Sequence, residues 1–372
     1  MIPPLDPSTL PPPAQKIVGD GAPPKLRLMA AKGIVPGLRP DAILIVLVLL
    51  SRGQDREAAA QARETLSNLP DQLLSGALDS DLPEAVLYTL CQHYVDRMDV
   101  LEKVIRMPRL PIEGVEYLAE HGGDLTVELV ATNEERVLAH PRLIELIYMN
   151  ENSRMSTASR LVELAVRHKI QLQGIPAWKE VAQAIQGELI AEPTDEPLPE
   201  DKLFWDQHQL AQELTDDELE DAFYETEDGE EILEDKLKPL YQQLEEMSTG
   251  EKIRRAMLGS KEERAMLIRS QNKVVASAAA RSPLMQENEV VQLTRNRGIV
   301  EDVLRIIASS PEWMKSYQVK RNLVENAKTP VAIATRLIPH LRESELRRLQ
   351  RNKNVASPVR QAARRHLERR GR

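Results

Sequence analysis

Apolar residues recur at intervals of three and four along most of this chain, which is the spacing of one face of an α-helix. In the C-terminal half each short helix carries a single apolar face, as Val303, Leu304 and Ile307 illustrate. Such a face is buried only when a neighbouring helix covers it. The pattern therefore predicts an all-α fold in which successive helices pack side by side.

A short polar phrase returns four times between residues 267 and 367, each time followed by an apolar helical stripe. The four phrases are Arg269-Ser-Gln-Asn272, Arg295-Asn-Arg-Gly298, Glu325-Asn-Ala-Lys328 and Arg351-Asn-Lys-Asn354. Their starts lie 26, 30 and 26 residues apart. A period of roughly 20 to 50 residues is typical of stacked two-helix units. We therefore predict an α-solenoid.

Helix-start signals accompany the phrases. A hydroxyl residue is favoured at the N-cap and proline at the first helical position. The pairs that fit this rule are Ser282-Pro283, Ser310-Pro311, Thr329-Pro330 and Ser357-Pro358. The capping-box patterns Ser248–Glu251 and Ser260–Glu263 predict two further helix starts.

The first half of the chain has the same character in a less regular form. Residues 41–51 are apolar nearly all round, and residues 56–69 are rich in alanine on one side. Pro83, Pro111 and Pro141 lie where helices are expected to begin. We predict one helical-repeat lobe over residues 26–191 and a second, basic lobe over residues 248–372.

The first 25 residues differ from both predicted lobes. They contain eight of the 25 prolines, including Pro11-Pro12-Pro13, and little to bury. This composition predicts a disordered or polyproline leader. Docking of the triplet in an aromatic groove is the alternative interpretation.

Charge is distributed unevenly along the chain. The net charge is −9. Residues 192–246 contain 21 acidic residues and three lysines, whereas residues 251–372 contain 27 basic and 12 acidic residues. We predict that an acidic helical segment, residues 192–247, joins the two lobes.

Rare aromatic residues gather in the acidic segment. Both phenylalanines of the protein, Phe204 and Phe223, lie there, beside Trp205 and Tyr224. The capping box Thr215–Glu218 predicts that at least one helix begins in this segment. Two interpretations are open: the segment forms acidic amphipathic helices that bridge the lobes, or it is a docking motif for another protein. The four aromatic residues are candidate partner-binding residues in either case.

Basic residues crowd the end of the sequence. One interpretation is a polar end of the helical array, with positive charge near a helix C-terminus. The other is a surface that binds phosphates or an acidic protein. The candidate partner-binding residues are Arg347, Arg348, Arg351, Lys353, Arg360, Arg364 and Arg365.

Signals for catalysis or metal binding are weak. The seven histidines are scattered, and the single cysteine, Cys91, lies in an apolar helical stretch typical of a buried thiol. We predict no catalytic residue, metal or cofactor. The most apolar run, residues 42–50, is too short for a bilayer that needs about 20 residues, and no signal peptide precedes it. A cytoplasmic protein without membrane insertion is expected.

Several stretches resemble a known group of proteins. The stretches are Leu267–Val275, Ala279–Pro283, Val303–Ala308, Lys328–Pro330 and Leu349–Val355. They are similar to a widespread set of uncharacterised bacterial helical-repeat proteins, related in style to HEAT and leucine-rich-repeat-variant solenoids. The resemblance is best over residues 248–370. It implies a superhelical all-α scaffold without catalysis, and it transfers no active-site residue.

The predicted function is that of a non-catalytic scaffold or adaptor that binds protein partners. The alternative is a nucleic-acid-binding protein that uses the basic lobe, since one HEAT-like family is known for DNA glycosylase activity. That alternative needs an aromatic ring, from Trp313 or Tyr317, and a carboxylate, from Glu312 or Asp302, together in a basic groove. The oligomeric state and the identity of the partner stay open.

Overall fold

The computed structural model describes residues 3, 5–19, 21–176, 178–186, 196–198, 201–202, 205, 223–225, 231–233 and 238–370. These residues are helical apart from loops and one short hairpin, which confirms the predicted all-α class. The chain divides into two compact units, Met1–Leu161 and Val162–Arg372.

The first unit is a succession of short helices. Their bounds are α1 (Pro12–Val18), α2 (Pro24–Ala31), α3 (Pro40–Ser51), α4 (Arg56–Ser67), α5 (Asp71–Leu78), α6 (Glu84–His93), α7 (Met98–Val104), α8 (Ile112–His121), α9 (Asp124–Ala131), α10 (Glu134–Ala139) and α11 (Arg142–Met149). The boundary between the units falls inside the next helix, α12 (Met155–Arg167).

Local signals set many of these helix starts. Pro83, Pro111 and Pro141 are the N-cap residues of α6, α8 and α11, as the sequence predicts. The side chains of Asp55 and Asn133 cap α4 and α10 by accepting backbone N–H groups. The backbone N–H groups at these helix ends therefore gain partners within the same short segment.

The core of the first unit forms between helices that are near in sequence. Helix α3 packs against α1, α2, α4 and α5, while α6 packs on α8 and α8 on α11. Cys91 on α6 is fully buried, and a Cβ at Gly114 of α8 would lie only 3.3 Å from its Sγ. Burial raises the pKa of the Cys91 thiol to about 12. The prediction of a buried thiol is confirmed.

The proline-rich leader contains ordered helix instead of the expected disordered tail. Asp6 caps a 3-10 turn, Pro7–Thr9, and α1 begins inside the proline triplet. Ala14 and Ile17 of α1 are buried against α3. Two prolines fit the first positions of a helix because these positions need no backbone N–H.

The second unit continues as a helical array. Its elements after α12 are α13 (Trp178–Ile185), β1 (Phe223–Glu225), β2 (Glu231–Leu233), α14 (Lys238–Glu246), α15 (Thr249–Leu258), α16 (Lys261–Leu267), α17 (Lys273–Ala279), α18 (Glu287–Arg295), α19 (Glu301–Ser309), α20 (Tyr317–Glu325), α21 (Val331–Leu337), α22 (Glu343–Leu349) and α23 (Ser357–Arg370). Short 3-10 turns, Trp313–Lys315 and Ile338–His340, follow α19 and α21.

The division between the units lies earlier than the predicted end of the first lobe at residue 191. Helix α13 packs on α15, and Glu180 of α13 forms an ion pair with Arg281, with 2.8 Å between Oε1 and Nη1. These contacts group α13 with the second unit.

The predicted acidic helical segment is only partly described. Its last part, α14, is helical, but Phe223–Glu225 and Glu231–Leu233 form an antiparallel pair in which Phe223 lies opposite Leu233. A hairpin therefore replaces helix at these positions. Its strands contain Phe, Tyr, Ile and Leu, residues that suit an extended chain. The predicted capping box at Thr215–Glu218 lies outside the described residues.

Both predicted capping boxes of the basic lobe are confirmed, whereas two of the four hydroxyl–proline pairs begin no α-helix. Ser248 and Ser260 cap α15 and α16 reciprocally with Glu251 and Glu263. Ser282 instead donates its hydroxyl to the Met257 carbonyl, at 2.7 Å. Tertiary hydrogen bonding uses this hydroxyl, and α18 starts four residues after Pro283.

Helices of the second unit contact their next-but-one neighbours. Helix α15 packs on α17, α17 on α19, α18 on α20 and α21 on α23. Sequence neighbours also touch, as α15 and α16 or α20 and α21 do. We refer to α16, α18, α20 and α22 as the groove row, because these four helices carry the site described next.

Candidate functional site

A concave surface with a volume of about 1010 Å³ lies on the basic half of the second unit. We refer to it as the amide–arginine groove. Its lining residues are Lys261, Arg264, Ala265, Ile268, Arg269, Met285, Asn288, Glu289, Gln292, Leu293, Arg295, Asn296, Arg297, Gln318, Arg321, Asn322, Glu325, Asn326, Arg348 and Asn352. Most of them come from α16, α18, α20 and α22, with the turns that follow these helices.

The lining positions repeat from helix to helix. On three successive helices of the row they fall at i, i+4, i+7 and i+8, so each helix contributes one face. The three sets are Lys261, Ala265, Ile268 and Arg269; Asn288, Gln292, Arg295 and Asn296; and Gln318, Asn322, Glu325 and Asn326. The groove is therefore a surface made by similarly spaced positions of successive helices in the row.

A buried ion pair joins α16 to α18 at one end of the groove. Arg264 donates to both carboxylate oxygens of Glu289, at 3.3 Å from Nε and 2.9 Å from Nη2. Its Nη1 donates to the Gly259 carbonyl at 2.7 Å. Both charged side chains are less than a tenth exposed. Two parallel bonds to one carboxylate fix the relative position of the two helices.

Asparagine side chains join α18 to α20. Asn322 donates to the Val291 carbonyl at 3.0 Å. Asn326 donates to the carbonyls of Thr294, at 2.9 Å, and Asn296, at 2.8 Å. Both asparagines are buried, and Asn326 supplies a partner for the Thr294 carbonyl in the last turn of α18, which the helix itself leaves unpaired.

The repeated phrase has a definite local structure. In all four phrases an asparagine side chain accepts a hydrogen bond from the backbone N–H two residues later. The donor and acceptor pairs are Val274 and Asn272, Gly298 and Asn296, Lys328 and Asn326, and Asn354 and Asn352. The turn in the phrase therefore follows each of the four helices α16, α18, α20 and α22 and precedes the next helix along the chain.

Charged contacts join α20 to α22. Arg348 donates to Glu325 at 3.0 Å, and Nη1 of Arg321 lies 3.8 Å from Oε1 of Glu345. The Tyr317 hydroxyl donates to Glu345, and burial together with that bond raises the pKa of the phenol. Each step along the row thus has its own polar bridge.

The groove has an excess of positive charge. Its lining contains seven cationic side chains and two carboxylates, a formal excess of five. Both carboxylates are already paired, Glu289 with Arg264 and Glu325 with Arg348. Arg295 and Arg297 are exposed and form no ion pair within the described part of the chain. An anionic ligand would therefore find guanidinium groups that are not neutralised by the protein.

The remaining lining is amide and apolar. Gln292 and Gln318 are exposed, with side-chain amides that each offer donors and an acceptor. Ala265, Ile268 and Leu293 add apolar surface. Aromatic rings do not line the groove within the described residues.

The structure separates the predicted basic residues. Arg348 lines the groove, but its neighbour Arg347 pairs with Glu343 outside it, at 2.5 Å. Arg351 and Lys353 are exposed and do not line it. On α23, Arg360 is half-buried, Arg364 pairs with Glu368 at 3.0 Å, and Arg365 is exposed.

The predicted aromatic residues are only partly described. Phe204 lies outside the described residues. Trp205 is half-buried, and its indole nitrogen is buried without a hydrogen-bond acceptor among the described residues. Phe223 and Tyr224 belong to β1.

The residues that the alternative function needs do not meet in the groove. Trp313 belongs to the 3-10 turn after α19, and Tyr317 is bound to Glu345. Glu312 occupies the N-cap position of that turn without a side-chain capping bond, and Asp302 lies 3.6 Å from Lys273. None of the four lines the groove.

Sequence reasoning missed most of the groove. The missed cations are Lys261, Arg264, Arg269, Arg295, Arg297 and Arg321. A signal was present, because Arg269 and Arg295 open two of the repeated phrases, and the positions at i, i+4, i+7 and i+8 are polar in the sets that begin at Asn288 and Gln318. That polar stripe indicates a face that successive helices share.

The described residues contain neither a metal-binding cluster nor a membrane-spanning helix. They contain no group of three or more His, Cys, Asp or Glu residues that is placed to hold a metal ion. Their helices include none that is long and apolar enough to cross a membrane.

Comparison of the chain with protein-family models, with curated proteins and with solved structures finds no match.

Proposed function

We propose that this protein is a non-catalytic helical-repeat scaffold, or adaptor, that binds an acidic protein partner in the amide–arginine groove. The observation that carries the proposal is the formal excess of five positive charges on a concave surface built from equivalent positions of successive helices. Such a surface raises the local concentration of anionic partners and the rate at which they associate.

Cross-repeat hydrogen bonds support the repeat architecture in this proposal. In each unit, side chains join elements that are about one repeat apart in sequence. Arg154 and Asp124 are 30 residues apart, Thr126 and Val95 are 31, and Asn326 and Thr294 are 32. Contacts of this range are what stacked two-helix units produce. We therefore propose an α-solenoid of HEAT-like repeats, as the resemblance to uncharacterised bacterial repeat proteins implies.

The chemistry of the lining favours a protein over a nucleic acid. Proteins that bind single strands usually stack bases on aromatic rings, and the described lining offers amides and aliphatic surface instead. Amides pair with peptide groups, and aliphatic side chains cover apolar parts of a polypeptide. The guanidinium groups then match its carboxylates.

The first experiment compares anionic probes on the full-length protein. Binding of fluorescein-labelled polyglutamate, single-stranded DNA and duplex DNA is measured by fluorescence polarisation at several salt concentrations. We expect polyglutamate to bind more tightly than either DNA at 0.15 M salt. Displacement of polyglutamate by duplex DNA at lower concentration than by unlabelled polyglutamate would favour the nucleic-acid alternative.

A pair of variants then tests the place of binding. Arg295→Gln/Arg297→Gln removes two unpaired charges from the groove, and we expect it to weaken polyglutamate binding about tenfold or more, since hydrogen bonds to charged groups are worth about 1.5–3 kcal/mol each. Lys315→Gln/Arg336→Gln removes two exposed charges outside the groove that form no ion pair among the described residues, and it serves as the matched control. Equal losses in the two variants would contradict the proposal.

A further inference from the structure

We infer that the amide–arginine groove takes an extended acidic stretch of the partner chain, about eight residues long, and not the surface of a folded domain. This inference rests on the proposed function and names the form of the ligand. It is carried by the spacing of the four helices in the row and by the unused amides on them.

The length follows from the helix row. Each neighbouring pair in the row is held by a direct bond: Arg264 to Glu289 at 2.9 Å, Asn322 to Val291 at 3.0 Å, and Arg348 to Glu325 at 3.0 Å. Helices α18 and α20 pack directly, and packed helices lie about 8–10 Å apart. This spacing, applied to all three steps from α16 to α22, gives a span of about 24–30 Å. An extended chain rises about 3.3 Å per residue, and about eight residues cover the row.

The amides favour an exposed backbone as their partner. Gln292 and Gln318 are both exposed in the lining and lie on adjacent helices of the row. A folded domain has already paired nearly all of its backbone N–H and C=O groups, whereas an extended segment brings both groups unpaired. A side-chain amide matches this donor and acceptor pair.

The cations set the expected pattern of the ligand. All four elements contribute cations to the lining, among them Arg269 after α16, Arg295 on α18, Arg321 on α20 and Arg348 on α22. One helix step of about 9 Å corresponds to about three residues of extended chain. The structure thus points to a segment with an acidic residue at about every third position.

The test uses three fluorescein-labelled peptides of twelve residues with the full-length protein at 0.15 M salt. The first repeats Glu-Gly-Ser four times. The second has the same composition with its four glutamates adjacent, and the third is the first with methylated backbone nitrogens. Any competition from the acidic segment of the chain itself acts on the first two alike, because their charge is equal.

We expect the spaced peptide to bind at least about fivefold more tightly than the clustered one. Gln292→Ala and Gln318→Ala each weaken binding of the spaced peptide roughly threefold to tenfold, the range of one net hydrogen bond. The same variants affect the methylated peptide less than the spaced peptide, because its nitrogens donate no hydrogen bond while its carbonyls still accept one. Gln361→Ala, an exposed glutamine on α23, is the control.

The outcomes separate the inference from the proposed function. Equal affinity for the spaced and clustered peptides, or no effect of either groove glutamine, overturns the extended segment. The proposed function then survives if Arg295→Gln/Arg297→Gln still weakens polyglutamate binding. Polyglutamate binding that is insensitive to that double variant overturns both.

Discussion

Gly259 shows how a single residue supports one end of the groove. A Cβ at this position would lie under 3.0 Å from the Arg255 carbonyl and from Oε2 of Glu263. Glu263 closes the capping box of α16 by accepting from the Ser260 N–H at 2.7 Å, and it pairs with Nε of Arg255 at 2.8 Å. That pair is almost fully buried, with 2% and 0% of the two side chains exposed. The absence of a side chain at Gly259, and not an unusual backbone angle, permits this arrangement.

We expect Gly259→Ala to lower the free energy of unfolding by about 2–3 kcal/mol, because the new methyl group displaces Glu263 from both its partners. Urea unfolding followed by circular dichroism measures the change. Gly21→Ala is the control, since a Cβ at Gly21 meets nothing within 4 Å, and its effect stays below about 1 kcal/mol. Equal stability of the two variants would contradict this account.

Local sequence signals were sufficient to predict the serine N-caps, but they were insufficient to predict that residue 259 must be glycine. A capping box involves four consecutive residues, so Ser248–Glu251 and Ser260–Glu263 could be identified in the sequence. The requirement at Gly259 depends on where the Arg255 carbonyl and the Glu263 side chain lie in three dimensions. Sequence pattern contains no such information.

At the scale of helices and turns, the repeated phrase joins successive helices. The sequence shows the phrase and its period, but its buried asparagine bonds appear only in the structure. Asn326 reaches back to Thr294 and Asn296, and in the first unit Asn150 reaches in the same way to Ala119 and Gly122. The two units therefore use the same joint.

We expect Asn326→Ala to lower the free energy of unfolding by about 2–3 kcal/mol, because it leaves buried carbonyls without donors. Thermal and urea unfolding of the variant provide the measurement. Asn354→Ala removes an exposed asparagine from the next phrase and should change stability by less than about 0.5 kcal/mol. A similar loss in both variants would contradict the role assigned to the buried asparagine bonds.

At the scale of the whole molecule, charge is placed differently from what composition alone suggests. The sequence predicts a cationic patch made of seven basic residues between 347 and 365. Of those seven, only Arg348 lines the groove. Composition counts charges along the chain, whereas the groove collects them from helices that are 23 to 32 residues apart. The helical fold was predictable from periodicity, and the shared surface was not, because it depends on which faces adjacent helices present.

We expect Arg360→Gln/Arg364→Gln/Arg365→Gln to change the affinity for polyglutamate by less than about twofold at 0.15 M salt. These residues lie outside the groove lining, and screening acts over a Debye length of about 8 Å. Fluorescence polarisation beside Arg295→Gln/Arg297→Gln makes the comparison. A loss as large as that of the groove variant would place binding on the α23 surface.

The backward reach of Asn326 also bears on how such a chain could lengthen. Asn326 and the two carbonyls to which it donates are about thirty residues apart. A duplicated stretch of that length would therefore carry a new asparagine donor together with new carbonyl acceptors. Insertion or deletion of one such stretch keeps each asparagine opposite its carbonyls, whereas an insertion or deletion of another length leaves a buried asparagine without its acceptors.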